Sequence, residues 1–87
     1  MTNAYLRDAD LTNVDLDYAN LGNADIRYAD LTNAYLFSAN LTDANLFGAD
    51  LTDADFSFAT VTNTDFTGTT WSNTIWTDGV TYNSNQA

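Results

Sequence analysis

Aspartates carry most of the chemistry available to this chain. Its charged residues are twelve Asp and two Arg, and it contains no His, Cys, Lys or Glu. Carboxylates can serve as general acids and bases, but that work needs a cleft that perturbs their pKa values. The other usual catalytic bases and nucleophiles are missing. We therefore expect a protein that is not an enzyme and that has no cofactor.

Three of the aspartates, Asp10, Asp30 and Asp50, recur at intervals of twenty residues. A row of such carboxylates could imitate the phosphates of DNA or bind Ca²⁺. No Asp-x-Asp-x-Asp-Gly loop or Gly-rich nonapeptide supports calcium, so no metal site is expected. The alternative is a solvated face, since Asp and Asn side chains bond readily to the backbone of turns. If the three carboxylates stack closely, their mutual repulsion should raise their pKa values in the folded state.

The net charge of −10 sets limits on partners and on location. It makes direct binding to nucleic acid or to an anionic membrane surface unfavourable. No apolar run approaches the length of a transmembrane helix, so no membrane insertion is expected. No signal peptide opens the chain. The compartment is open: the cytoplasm, or the periplasm or thylakoid lumen if a signal peptide has been removed.

A period of five residues organises the chain from Ala4 to Asp78. The third position of all fifteen repeats is apolar, the first is Ala in eleven of them, and the last two positions vary freely. Neither a continuous helix nor a continuous strand keeps an apolar stripe on one face at this period. Short extended segments joined by turns do so, and they close into a solenoid. Because ADLTN stands at 9–13 and again at 29–33, four such sides should complete one coil.

The A-[DN]-L-x-x pattern resembles the pentapeptide-repeat family, and the C-terminal residues are similar to those of cyanobacterial members. The resemblance implies an all-β fold, a right-handed quadrilateral β-helix with four repeats per coil and about four coils. The predicted domain is 1–83, with clear repeats over 4–78, a C-terminal capping coil at 64–83 and a flexible tail at 84–87. Most members have no assigned function, and a minority protect DNA gyrase by mimicking duplex DNA.

Sorting the repeats by four predicts which apolar side chains stack inside the solenoid. The side chains enlarge toward the C-terminus, where aromatic residues could close the end, and Thr81 falls in the Leu slot above Val61. At the other end the chain begins in the middle of a repeat, with no capping segment before Leu6. A longer array, an end covered by a partner or a second copy, and a designed consensus array all fit this observation.

Aromatic residues outside the apolar columns are the remaining candidates for a binding surface. One group falls on or beside a single face and consists of Tyr18, Tyr35, Phe37 and Phe58. A second group falls beside Arg7 and Arg27 and consists of Tyr5, Tyr28 and Phe47. They could form a contact surface, or they could only stabilise stacked coils. We expect a binding or scaffold module with an unknown protein partner or with self-association, including a homodimer through an open end. The alternative is an acidic DNA mimic acting on DNA gyrase or another DNA-binding protein.

Overall fold

Parallel bridges between residues twenty apart define the fold in the computed structural model, which describes residues 2–87. Tyr5 pairs with Asp25 and Asp10 pairs with Asp30, and the series continues to Asp55 and Ile75. Twenty residues therefore make one coil, as the recurrence of ADLTN predicts. The described chain contains no helix. Its named strands are β1 (Thr74–Ile75) and β2 (Thr81–Tyr82).

The coil has four sides of five residues each. Side 1 comprises 4–8, 24–28, 44–48 and 64–68, and side 2 comprises 9–13, 29–33, 49–53 and 69–73. Side 3 comprises 14–18, 34–38, 54–58 and 74–78, and side 4 comprises 19–23, 39–43 and 59–63. Residues at equal positions of one side therefore stack at strand spacing, about 4.8 Å apart.

Each corner is a hydrogen-bonded turn that places one residue in the left-handed region. The Ala9 N–H donates to the Leu6 carbonyl at 3.1 Å, and the same bond recurs around the coils. From Asn3 to Asn73 every fifth residue has φ between 51° and 70°. Positive φ at the third residue only is the geometry of a type II turn, which favours Gly or Asn there. The fifth position of the repeat is therefore constrained by the backbone, contrary to its apparent freedom in the sequence.

The first and third positions of the repeat fill the interior completely. Every such residue from Leu21 to Phe56 is at most 1% exposed. Leu6 and Leu11, on the first coil, are only partly buried. At the opposite end, the predicted enlargement of the side chains produces a cluster of rings with centroids 4.9–6.5 Å apart. The cluster consists of Phe56, Phe66, Trp71 and Trp76.

The last coil does not continue the stack, so the predicted position of Thr81 above Val61 is wrong. The chain reverses after Trp76, whose carbonyl accepts from the N–H of Gly79, a residue with φ of 78°. Strand β2 then pairs antiparallel with β1, with Thr81 opposite Ile75 and exposed to solvent.

The segment after β2 crosses the last coil. Asn85 Nδ2 donates to the Phe66 carbonyl at 2.9 Å. The domain end at 83 and the flexibility of 84–87 stay predictions.

Candidate binding face

The acidic column occupies the bridged second position of the repeat on side 2. Asp10, Asp30 and Asp50 pair in consecutive bridges, and Thr70 continues the row. The Oδ1 atom of each carboxylate accepts the backbone N–H of the residue two positions further on, an Asx-turn geometry. The same bond is made by Asp or Asn at this position on all four sides. On side 2 the pairs are Asp10–Thr12, Asp30–Thr32 and Asp50–Thr52, at 3.0–3.1 Å.

Hydrogen bonding lowers the pKa values of Asp10 and Asp30, which is the reverse of the predicted rise. The Thr12 side chain and backbone N–H both stabilise the charged form of Asp10 and lower its pKa. Thr32 does the same for the pKa of Asp30, and its hydroxyl donates at 2.6 Å. Repulsion from Asp10 acts on Asp30 in the opposite direction but is the smaller effect. Donors two residues away in the chain outweigh a screened like charge one coil away.

Side 1 carries both arginines of the chain. Arg27 makes a two-pronged ion pair with Asp25, with Nε to Oδ1 at 2.8 Å and Nη2 to Oδ2 at 2.7 Å. This pair lowers the pKa of Asp25 to about 2. The guanidinium of Arg7 lies 5.6 Å from the centroid of the Tyr28 ring. Tyr28 in turn contacts Phe47 edge to face at 5.6 Å.

Side 3 carries a longer series of exposed rings, which we call the aromatic ladder: Tyr18, Phe37 and Phe58. Tyr18 and Phe37 meet edge to face with centroids 5.7 Å apart, and Phe37 and Phe58 meet in the same way at 5.5 Å. Tyr18 is 73% exposed and Phe58 is 68% exposed, whereas Phe37 between them is half-buried. The ladder takes one ring from each of three successive coils, and its members alternate between the fifth and fourth positions of the repeat.

Tyr35 lies on the same side but is not a rung of the ladder. It pairs with Asp15 below it and Asp55 above it, and it is 52% exposed. The four predicted contact residues therefore occupy one side as two neighbouring features. One is the ring ladder, and the other is a tyrosine between two carboxylates.

Further features of the described residues concern metal-ligand clusters, depressions and membrane-spanning helices. Over residues 2–87 no three Asp, Glu, His or Cys side chains come together as a metal site. An open depression of about 210 Å³ lies at the C-terminal end, lined by Thr64–Thr67 with Asn85 and Ala87. No helix in this range is long and apolar enough to cross a membrane.

A family model matches most of the repeat region of this chain. The family model described as pentapeptide repeats matches residues 4–43 and 29–68, with eight copies. This chain belongs to the pentapeptide repeat family. The family fold is the right-handed quadrilateral β-helix, so the predicted fold class and handedness are confirmed. Members are generally structural or interaction modules. No curated protein matches the chain.

The chain is similar to solved pentapeptide repeat proteins from two cyanobacteria and a plant. The pentapeptide repeat protein Rfr23 of the cyanobacterium Cyanothece 51142 is 34% identical, with a TM-score of 0.84 over 86% of this chain. HetL of Nostoc sp. strain PCC 7120 is 25% identical, with a TM-score of 0.55 over 94%. A thylakoid-lumen member from Arabidopsis thaliana is 31% identical, with a TM-score of 0.58 over 86%. The chain spans 52%, 51% and 59% of these three proteins, respectively.

The sequence predicted that these aromatic residues lie on side 3, but it did not predict that two of them adopt a left-handed, strained backbone conformation. Tyr18 and Phe58 sit at the fifth position of the repeat with φ of 61° and 58°. Eleven of the fifteen residues at this position are Asn, Asp or Gly, which was the available signal. The exceptions are Tyr18, Tyr28, Ser38 and Phe58.

Proposed function

We propose that this chain is a non-enzymatic binding or scaffold module that contacts a protein partner, or a second copy of itself, through side 3. The observation that supports this proposal is the position of Tyr18 and Phe58. Both rings are mostly exposed, and both stand where the backbone favours Asn, Asp or Gly. A bulky residue in the left-handed region costs about 1–2 kcal/mol.

Ring stacking offsets part of this cost, and the central values leave the strain larger than the gain. Each edge-to-face pair contributes about 0.5–1.5 kcal/mol. The two pairs of the aromatic ladder therefore contribute about 1–3 kcal/mol, against a cost of about 2–4 kcal/mol for two strained positions. Folding alone gives little reason to keep exposed rings there, whereas a contact surface uses them. Strained residues cluster at sites of function, and contiguous exposed apolar patches mark sites of interaction.

The similarity to HetL is consistent with a binding role. That protein is described as involved in regulating heterocyst differentiation. A regulatory role without catalysis requires a surface that recognises another molecule. This chain spans about half of HetL, so the partner of HetL is not carried over to it. The proposed contact rests on the residues of side 3.

Charge distribution favours a second candidate, the acidic DNA mimic. Both arginines lie on side 1, so side 2 presents Asp10, Asp30 and Asp50 with no cation beside them. Such a row could occupy the DNA-binding surface of gyrase or another DNA-binding protein. A supercoiling assay tests this candidate, because a mimic in large excess should inhibit gyrase. Asp30→Asn with Asp50→Asn should then weaken the inhibition.

A pair of matched variants tests the proposed contact face. Phe37→Ser with Phe58→Ser removes two rungs of the aromatic ladder and leaves the interior columns intact. Asp30→Asn with Asp50→Asn changes side 2 instead. We expect the side 3 variant to lose self-association in analytical ultracentrifugation, or to lose a partner identified by cross-linking and mass spectrometry. The side 2 variant should retain both.

The partly buried Leu6 and Leu11 offer a competing contact at one end of the solenoid. Adding one polar coil before Ala4 covers these leucines without changing side 3. Association that survives this addition and disappears in the side 3 variant supports the proposal. Association that is unchanged by loss of the two rings contradicts it.

A further inference from the structure

Two corners of this solenoid carry exposed ring contacts of the same geometry but differ in charge. On side 1 the Tyr28–Phe47 pair has centroids 5.6 Å apart, and the Arg7 guanidinium lies over Tyr28. On side 3 the Tyr18–Phe37 pair has centroids 5.7 Å apart. The position that Arg7 occupies in the first coil of side 1 is taken on side 3 by Asp17. Side 1 thus shows a cation supplied by the chain itself, and side 3 has none.

Carboxylates flank the aromatic ladder and Tyr35. In each of these carboxylates the Oδ1 atom accepts a backbone N–H at 2.8–3.0 Å. Among residues 2–87, the other oxygen of each carboxylate receives no hydrogen bond, and no arginine pairs with it. Each oxygen can therefore accept from an incoming donor. The three carboxylates are Asp15, Asp17 and Asp55.

We propose that side 3 binds an extended, arginine-containing segment of a partner protein. The inference rests on the proposed function and names the chemistry of the partner. Guanidinium groups make cation–π contacts with Tyr18 and Phe58 on ring surface that Phe37 leaves exposed, and they pair with the neighbouring carboxylates. Arginine fits better than lysine because its planar group can stack on a ring and hydrogen-bond to a carboxylate at the same time.

The spacing of the ladder predicts the spacing of the arginines. Tyr18 and Phe58 are two coils apart, about 10 Å at strand spacing. The polyproline II conformation is extended and has three residues per turn with a rise of about 3.1 Å, so residues three positions apart lie on one face about 9 Å from each other. A segment that runs along the solenoid axis therefore presents one arginine to each ring when its arginines are three positions apart.

A synthetic peptide of about nine residues tests this directly. The probe has Arg at every third position and Gly or Ser elsewhere, and a control peptide has the same composition with its Arg residues adjacent. A third peptide has Lys in place of Arg. At physiological ionic strength, calorimetric titration should show the spaced Arg peptide binding several-fold more tightly than either control. Shift changes in the NMR spectrum of the protein should be largest at Asp17, Tyr18, Phe37 and Phe58.

Matched variants separate the ladder from the overall negative charge. Tyr18→Asn with Phe58→Asn removes two rings and suits the positive φ, and it should weaken binding about three- to thirtyfold. Asp30→Asn with Asp50→Asn removes two charges from side 2 and should weaken it less than twofold. Equal binding of the spaced and clustered Arg peptides, or the largest shift changes on side 2, overturns the inference. Absence of peptide binding also overturns it, and the proposed function stands if the Phe37→Ser, Phe58→Ser variant still loses association.

Discussion

A Cβ atom added to Gly48 would lie 2.7 Å from two ring carbons of Tyr28. The tyrosine ring of one coil therefore covers the backbone of the next coil at the same corner. Gly48 also has φ of 70°. Two separate constraints, close approach and a left-handed backbone, select glycine at this position. Gly68, one coil further on, has the same φ, but its nearest neighbouring atoms lie at 3.8 and 3.9 Å.

Replacing these two glycines by alanine should separate the two constraints. Gly68→Ala should cost about 1–2 kcal/mol of unfolding free energy, from the left-handed backbone. Gly48→Ala should cost about 1 kcal/mol more, because Tyr28 must move and loses contact with Phe47 and Arg7. Urea unfolding measures both values. The extra cost should vanish when Tyr28→Ala is introduced into both backgrounds, and equal losses in the single variants would contradict the explanation.

The inside and outside positions of the repeat should differ sharply in stability. Leu31 is fully buried in the second coil, with Leu11 and Leu51 at the same position of the neighbouring coils. We expect Leu31→Ala to cost about 2–5 kcal/mol, from lost burial and the cavity left behind. Thr32→Ala should cost about 1 kcal/mol or less, because it removes one solvent-exposed hydroxyl bond to Asp30 and no buried surface. Thermal or urea unfolding measures the stability of both variants. Equal losses of unfolding free energy would show that the assignment of inside and outside positions is wrong.

The period of five predicted most of this fold because it repeats a single local solution. Ala and Leu two residues apart point inward, and the recurrence at twenty fixes the register between coils. Thr81 departs from that rule because one local feature, the reversal at Gly79, replaces the repeat. Extending a periodic pattern gives no information about the point where the chain stops following it.

The binding face was harder to predict because it depends on backbone conformation as well as on spacing. Composition and period place Tyr18, Tyr35, Phe37 and Phe58 on one side, as the structure does. They do not reveal that Tyr18 and Phe58 occupy left-handed positions, nor that Tyr35 lies outside the ladder. The pKa direction at Asp10 was also missed, because repulsion was weighed without the hydrogen bonds from Thr12.

The aspartates should make this protein less stable in acid. The folded-state pKa values of Asp10, Asp25 and Asp30 lie below the usual value of 3.8, and that of Asp25 is about 2. The unfolded chain therefore binds protons more readily than the folded chain. These groups stabilise the fold fully above the unfolded pKa, and that contribution is lost as pH falls through 3.8 toward 2. We expect the melting temperature at low salt to fall over this range.

Asp25→Asn is the matched test of this pH dependence. It keeps an oxygen for the Arg27 backbone N–H but removes the titrating group with the lowest pKa. The variant should be less stable at neutral pH, and its melting temperature should fall less steeply below pH 4. A melting temperature that rises on acidification would show that repulsion within the Asp10, Asp30 and Asp50 column is the larger effect after all.

Substitutions at Phe58 should distinguish a surface kept for binding from one kept for stability. Asn and Val both remove the edge-to-face contact with Phe37, but only Asn tolerates φ of 58° readily. We expect Phe58→Asn to change the unfolding free energy by less than about 1 kcal/mol, because relief of strain offsets the lost contact. Phe58→Val should be less stable than Phe58→Asn by about 1–2 kcal/mol. Urea unfolding at neutral pH measures both variants. If Phe58→Asn is as destabilising as Phe58→Val, ring contacts are the reason for the phenylalanine, and the argument from strain to a binding face fails.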